Sequence, residues 1–151
     1  MNRITHLVDR LTQKGVETVA FFNAAAAMQD QPVYPAWCVR DVLAHLVWSE
    51  RGMRRLYQGI AEGGTGAADD FDIDRYNASK ARSYAEIPYA DLLEQFGTER
   101  AETIAWVRTL DAAVLDRRGR HPAMGEDTLE RLIKILYLHT GMHQRDVAAS
   151  L

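Results

Sequence analysis

The sequence is poor in cysteine, in long apolar runs and in positive charge, and each shortage excludes a class of protein. Its 151 residues include one cysteine, Cys38, which excludes an internal disulfide and a zinc site made of several cysteines. The net charge of −3 argues against nucleic acid as a partner, because phosphate binding needs clustered basic side chains. No segment has the length of a membrane span or the layout of a secretory signal. We therefore expect a cytoplasmic protein without a membrane or nucleic-acid partner.

The composition that is present is that of an ordinary folded domain. Hydrophobic residues make up 47% of the chain and charged residues 26%, a balance typical of globular proteins rather than disordered ones. A chain of this length can bury a sizeable core in one domain. We therefore predict a single domain over residues 1–151.

Apolar residues recur with helical spacing in four long segments, and no segment alternates in the manner of a strand. The predicted long helices cover residues 4–28, 38–62, 88–113 and 127 to the last turn of the chain. A shorter helix is predicted over 74–84 with Asp74 as its N-cap, inside a connection that is otherwise a loop. Residues 116–125 are predicted to form a polar turn.

Four amphipathic helices of about 20–25 residues are what a four-helix bundle requires. The second helix begins with a capping box in which the Cys38 thiol replaces the usual hydroxyl and Asp41 reaches back. The last helix is predicted to be capped by Asp127. About 25 residues separate the second long helix from the third, which is long for a hairpin and permits a crossover. The predicted fold class is therefore all-α, a four-helix bundle with a long connection between helices two and three.

Histidines from two of these helices are predicted to meet inside the bundle. His139 and His143 are four residues apart on the last helix, so both lie on its inward face. His45 lies at the edge of the apolar face of the second helix, from which it can meet them. Two imidazoles at this spacing can bind one ion at about 2.0–2.1 Å, although spacing alone is also compatible with hydrogen-bonded core histidines. His6 and His121 are predicted to lie on the surface or in loops.

Two carboxylates and the cysteine stand near these histidines in the helical pattern. Asp146, three residues after His143, can accept the second ring N–H of a ligand histidine, or it is an exposed residue of the last turn. Glu50 falls close to the apolar face of the second helix. We expect it to pair with an arginine of the first or third long helix, or else to line a polar cavity near the metal. Cys38 is better interpreted as an inert buried cap than as an activated thiol.

Other site motifs fail on single residues. Thr140 stands where the HExxH motif of zinc proteases needs its glutamate. The acidic run 70–74 begins like a calcium-binding loop but continues with Arg75 where glycine is needed and Ala81 where glutamate is needed. The glycine-rich segment 63–66 lacks the lysine of a phosphate-binding loop.

Several short motifs, in their order and spacing, resemble the DinB/YfiT-like superfamily over essentially the whole chain. The segment PAWCVRDVLAHL at 35–46 is similar to the helix-two signature of that superfamily. DRYN at 74–77 follows the long loop, PxxG at 122–125 precedes the last helix, and HxxxHxxD at 139–146 closes the chain. The branch that these motifs most resemble is the N-terminal domain of mycothiol-dependent maleylpyruvate isomerase.

This resemblance implies an up-down-down-up bundle in which His45, His139 and His143 bind one divalent metal, usually zinc or nickel. Some relatives are thiol-S-transferases that use mycothiol or bacillithiol, others are proposed hydrolases, and some bind small molecules without a metal. Many relatives are dimers. Cys38 departs from the serine or threonine cap that is commoner in the superfamily.

Three functions follow from these patterns. The first is a metal-dependent enzyme acting on a small molecule, either a thiol-S-transferase or a hydrolase. The missing base beside the histidines favours the thiol, which loses its proton on coordination. The second is a non-catalytic protein that sequesters a small molecule or a metal, and the third is a structural helical dimer with core histidines. Trp48, which helical angles place on the outward face of helix two, predicts a homodimer interface.

Overall fold

The computed structural model describes residues 2–151, most of which lie in helices. The α-helices are α1 (Arg3–Ala24), α2 (Val39–Ala61), α3 (Ile73–Ser83), α4 (Tyr89–Arg108) and α5 (Leu129–Ser150). Antiparallel hairpins pair β1 (Pro32–Tyr34) with β2 (Trp37–Cys38) and β3 (Arg118–His121) with β4 (Gly125–Thr128). Short 3₁₀ helices span Ala26–Met28 and Ala112–Asp116. The predicted four long helices are confirmed as α1, α2, α4 and α5.

The start of α2 follows the predicted capping box. Cys38 is the N-cap, and its backbone N–H donates to Asp41 Oδ2 at 3.0 Å, while its thiol lies 3.2 Å from the same oxygen. Burial raises the pKa of the Cys38 thiol, so the group stays protonated at neutral pH. The structure therefore favours the inert cap over the activated thiol.

Two other helices begin at a different residue from the predicted one. α3 is capped by Asp72 rather than Asp74, and α5 by Thr128 rather than Asp127. In both cases the observed cap has an extended backbone, and its side chain accepts the N–H three residues later. Both alternatives carry an oxygen that can cap, so local propensity does not choose between neighbouring positions.

Contacts near the helix ends give the directions of the long helices. Arg3 pairs with Glu130 at 2.8 Å near the first turns of α1 and α5, and Thr18 contacts Gln144 near their last turns, so these two helices run parallel. α1 and α2 lie at opposite corners, because each packs against α4 and α5 rather than against the other.

The other two long helices run in the opposite direction. Tyr89, at the start of α4, donates to the carbonyl oxygen of Phe22 near the end of α1 at 2.6 Å. Arg40, at the start of α2, donates to the carbonyl oxygen of Ile87 just before α4 at 2.7 Å, which makes α2 parallel to α4. In chain order the long helices therefore run up, down, down and up, and the long connection joins the two parallel members.

Two apolar clusters form the core, and an ion pair is buried among the long helices. Arg100 of α4 binds Glu50 of α2 with Nε 2.6 Å from Oε1. The same guanidinium donates to the carbonyl oxygens of Leu11 in α1 and Leu136 in α5. The expected pairing of Glu50 with an arginine of the first or third long helix is confirmed for the third, and Arg100 connects α4 with the other three long helices.

Trp48 does not lie on an exposed face. Only 2% of it is accessible, and its indole N–H donates to Asn77 Oδ1 of α3 at 3.1 Å. The prediction of an exposed tryptophan is wrong because the connection folds back as α3 and covers the outer side of α2. The predicted homodimer interface is based on an exposed Trp48, so the structure gives no support for it at this residue.

The predicted polar turn at 116–125 is also wrong in part, since it contains a β-strand. In the antiparallel pairing of β3 with β4, Arg118 lies opposite Thr128 at one end and His121 lies opposite Gly125 at the other. These strands are rich in charged residues and do not alternate apolar with polar, so the sequence carries no strand signal. At Gly119 an added Cβ would lie 2.3 Å from Ile60 Cδ1, which shows how closely the hairpin packs on the end of α2.

Among the described residues, no helix has both the length and the apolar character needed to cross a membrane.

Candidate metal centre

The three predicted histidines converge between α2 and α5. His45 Nε2 lies 3.1 Å from His139 Nε2, which in turn lies 3.0 Å from His143 Nε2. Nitrogen atoms from all three rings lie within 4.8 Å of one another. The antiparallel pairing of α2 with α5 brings His45 opposite the i, i+4 pair, as the spacing predicts.

These separations fit one shared ion. Two nitrogens bound to one ion at about 2.0–2.1 Å lie about 2.8–3.4 Å apart when the angle at the ion is between octahedral and tetrahedral values. Both measured Nε2–Nε2 distances, 3.1 Å and 3.0 Å, fall inside that interval. The same two distances are also hydrogen-bond distances, and one ion held by all three rings accounts for the convergence of all three nitrogens.

The electrostatics of the cluster keep the imidazoles neutral. Burial, followed by the neighbouring rings of His139 and His143, lowers the pKa of His45 to about 2. Burial, followed by His143 and then His121, lowers the pKa of His139 to about 3. Burial also lowers the pKa of His143, although the Asp146 carboxylate opposes that shift. Neutral imidazoles are the form that binds a metal.

A tyrosine connects Asp146 to the cluster. The Tyr34 hydroxyl lies 2.5 Å from Asp146 Oδ2, to which it donates, and 2.7 Å from His143 Nδ1. Since its proton goes to Asp146, the hydroxyl oxygen accepts from Nδ1–H of His143. That tautomer leaves the lone pair of Nε2 free to face the other two histidines.

Asp146 is exposed, as in the second of its two predicted alternatives, and it reaches His143 through Tyr34 rather than by a direct bond to the ring. Tyr34 itself carries no recognisable spacing signal in the sequence. It lies on β1, and only its position just before the 35–46 motif connects it with the site. Glu50, in contrast, directs both carboxylate oxygens at Arg100 rather than at the histidines.

Aromatic side chains hold the His45 ring on the side of β2 and α2. The ring centroids of Trp37 and Trp48 lie 4.9 Å and 5.2 Å from that of His45. Ser49 Oγ, one turn along α2, lies 3.3 Å from His45 Nδ1. Together these contacts leave His45 little freedom to turn away from α5.

A cavity of about 390 Å³ opens beside two of the three histidines. The α2 side of the cavity is lined by His45, Ser49 and Met53, and the α5 side by Ile135 and His139. The remaining wall comes from α3, the loop before it and the turn between β3 and β4. The volume lies within the range of small-molecule sites, about 300–1,000 Å³.

His121 belongs to this cavity wall, and the prediction that it lies on the surface or in a loop is wrong, because it is a buried residue at the end of β3. It is 8% accessible, and its Nδ1 accepts the backbone N–H groups of Ala123 and Met124, each at 3.0 Å. Because the turn between β3 and β4 carries these amides, the ring folds back into the protein. His6 lies exposed on α1, as predicted.

The DinB superfamily model matches residues 3–147 of the chain. The chain belongs to the DinB superfamily. This confirms the resemblance seen in the sequence, whereas the particular branch stays a prediction. A comparison with curated proteins gives no match.

A solved DinB-like structure shares the fold. YfiT from Bacillus subtilis, described as a probable metal-dependent hydrolase with an unusual four-helix bundle topology, superposes with a TM-score of 0.72. The match covers 94% of this chain and 84% of that one at 20% sequence identity. At this identity the similarity establishes the bundle and nothing about the reaction.

Proposed function

We propose that this DinB superfamily protein is a divalent-metal-dependent enzyme that acts on a small molecule, with His45, His139 and His143 as the ligands of zinc or nickel. The convergence of three Nε2 atoms beside a cavity carries the proposal. Neutral imidazoles suit both ions. A divalent ion with open positions lowers the pKa of a coordinated water or thiol and polarises a carbonyl group.

The chain supplies orientation and a shielded site. Tyr34 holds the tautomer of His143, and Ser49 with the two tryptophans holds the ring of His45. Met53 and Ile135 give the cavity apolar walls that can hold the body of a substrate and exclude water from it. Such positioning fixes the reacting group against the histidine end of the cavity.

Thiol transfer is the reaction that we place first. No Asp or Glu lines the cavity within residues 2–151, so no carboxylate stands ready to take a proton from a water. Asp146 lies behind Tyr34 and His143 rather than in the cavity wall. A thiol bound by an ion at the three histidines would release its proton to solvent and would need no such base.

Metal-dependent hydrolysis is the second candidate. The description of YfiT as a probable metal-dependent hydrolase favours it. It requires the proton of the attacking water to leave through solvent or through one of the neutral side chains. A third possibility, a non-catalytic protein that sequesters a metal or small molecule, predicts tight binding without turnover.

The metal content of protein purified without a histidine tag tests the proposal. We expect one divalent ion per chain after gel filtration and none in His143→Ala, because that variant loses one of three ligands. His6→Ala is the matched control, since His6 is an exposed histidine on α1. Wild-type protein that holds no ion and gains no thermal stability from zinc or nickel would contradict the proposal.

Cobalt substitution then separates the two reactions. Mycothiol, bacillithiol and a simple uncharged thiol are added in turn, and at least one of them should produce a sulfur-to-cobalt charge-transfer band in the wild type and also in Cys38→Ser. A band that depends on Cys38 would make the protein's own thiol the ligand. If no thiol changes the spectrum but an ester or amide is cleaved, hydrolysis replaces thiol transfer.

A further inference from the structure

The cavity beside the histidines is free of charged side chains. None of the described residues that line it is Asp, Glu, Lys or Arg, although 26% of the chain is charged. Its mouth is apolar as well, since Phe71 and Met124 line the cavity and are 40% and 68% accessible. Buried charges in proteins are normally paired, so a cavity without ions of either sign selects against charged ligands.

The polar side chains in the wall are uncharged, and several of their atoms are engaged within the protein, whereas the buried His121 Nε2 has no partner in residues 2–151. Asn77 Oδ1 accepts from the Trp48 indole at 3.1 Å, and Ser49 Oγ lies 3.3 Å from His45 Nδ1. His121 Nδ1 accepts two backbone N–H groups, which a protonated ring cannot do. Burial also lowers the pKa of His121, which favours the same neutral ring. These groups therefore give a carboxylate or an ammonium group no counter-charge.

We propose that the cavity binds an uncharged, mainly apolar small molecule with a polar group that faces His45 and His139. The assignment of that polar group to a metal rests on the proposed function, but the exclusion of charge from the rest of the ligand does not. A thiol or substrate that carries carboxylates or phosphates along its body is therefore excluded. An apolar body with a carbonyl, hydroxyl or thiol group at the histidine end is what the lining can accommodate.

Three probes of similar shape and different charge test this proposal on the 151-residue chain. They are 2-naphthylmethanol, 2-naphthoate and 2-naphthylmethylammonium, and their dissociation constants are measured by ligand-observed NMR and calorimetry at pH 7. Measurement after chelation prevents capture of the carboxylate by a metal. We expect the alcohol to bind at least about 10-fold more tightly than either ion. Equal or tighter binding of either ion would overturn the proposal.

A charge placed in the wall locates the binding site. Met53 is a half-buried residue of the lining on α2, and Met53→Lys should make naphthoate the preferred probe. Met53→Leu is the matched control and should keep the order of the wild type. If Met53→Lys is folded by circular dichroism and the order of the probes does not change, the probes bind elsewhere and the proposal fails.

The outcome is independent of the metal. Protein that holds no ion but prefers the alcohol refutes the proposed enzyme and leaves the cavity assignment standing. Protein that holds one ion but binds naphthoate as tightly after chelation refutes the cavity assignment alone.

Discussion

Replacing Tyr34 by phenylalanine tests whether the bond behind His143 contributes to metal binding. In the structure the Tyr34 hydroxyl joins His143 Nδ1 at 2.7 Å to Asp146 Oδ2 at 2.5 Å. Burial, together with the hydrogen bond to Asp146, raises the pKa of Tyr34, so the hydroxyl keeps its proton at neutral pH. Phenylalanine keeps the ring beside His143 and removes only this bridge.

The expected loss is set by the role of outer hydrogen bonds at metal sites. Removal of a partner that orients a ligand histidine costs about 10–100-fold in metal affinity, or about 1.4–2.7 kcal/mol. We expect the lower end, because Asp146 is solvent-exposed and its charge is screened. The measurement is competition for zinc between the protein and a chromophoric chelator at pH 7.5.

Tyr89→Phe is the control for a general loss of stability. Its hydroxyl donates to a backbone carbonyl at the end of α1 and does not contact the histidines. This variant should lower the melting temperature and leave the zinc dissociation constant unchanged. An unchanged zinc dissociation constant in Tyr34→Phe would refute the argument that the tautomer of His143 is held through Tyr34.

Two stability predictions follow from buried groups. Burial lowers the pKa of His45 to about 2 and of His139 to about 3, so below about pH 6.5 the unfolded chain takes up protons that the folded, metal-free protein does not. The free energy of unfolding is then highest above that pH and falls toward pH 3 by up to about 1.4 kcal/mol per pH unit for each histidine. Urea titrations at several pH values check this, and His45→Phe should show a shallower slope. Glu50→Gln leaves the Arg100 charge buried without its counter-ion and should lower the free energy of unfolding by about 3–5 kcal/mol. The double variant Glu50→Met with Arg100→Met removes both charges and should recover most of that loss in the same urea titration.

The parts of the structure that the sequence predicts are those that depend on one helix at a time. The i, i+4 pair of His139 and His143 needs only helical spacing, and the place of His45 follows once α2 packs on α5. Glu50 is predictable for the same reason, because a carboxylate close to an apolar face has to find a cation. A sequence pattern cannot say which arginine it is, since Arg100 comes from a helix about 50 residues away.

Contacts between elements that are distant in the chain are not predictable in this way. Tyr34 lies on a three-residue strand and reaches Asp146 across 112 positions, and no periodicity connects the two. His121 is placed by the amides of a turn between strands that carry no alternating pattern. Both residues are polar, and their positions depend on partners that only the folded chain supplies.

One segment, the connection between α2 and α4, accounts for the incorrect surface placement of Trp48 and for the unpredicted cavity wall. α3 has no fully buried residue, so its sequence gives little indication that it covers anything, yet it receives the Trp48 indole bond and supplies Ile73 and Tyr76 to the cavity. A helical wheel assumes one buried face, whereas α2 is buried toward α3 as well as toward the bundle. The three clustered histidines lie on α2 and α5, while the opposite wall lies on α3 and its loop. Substitutions in that wall can therefore change which molecule is bound without moving the histidines.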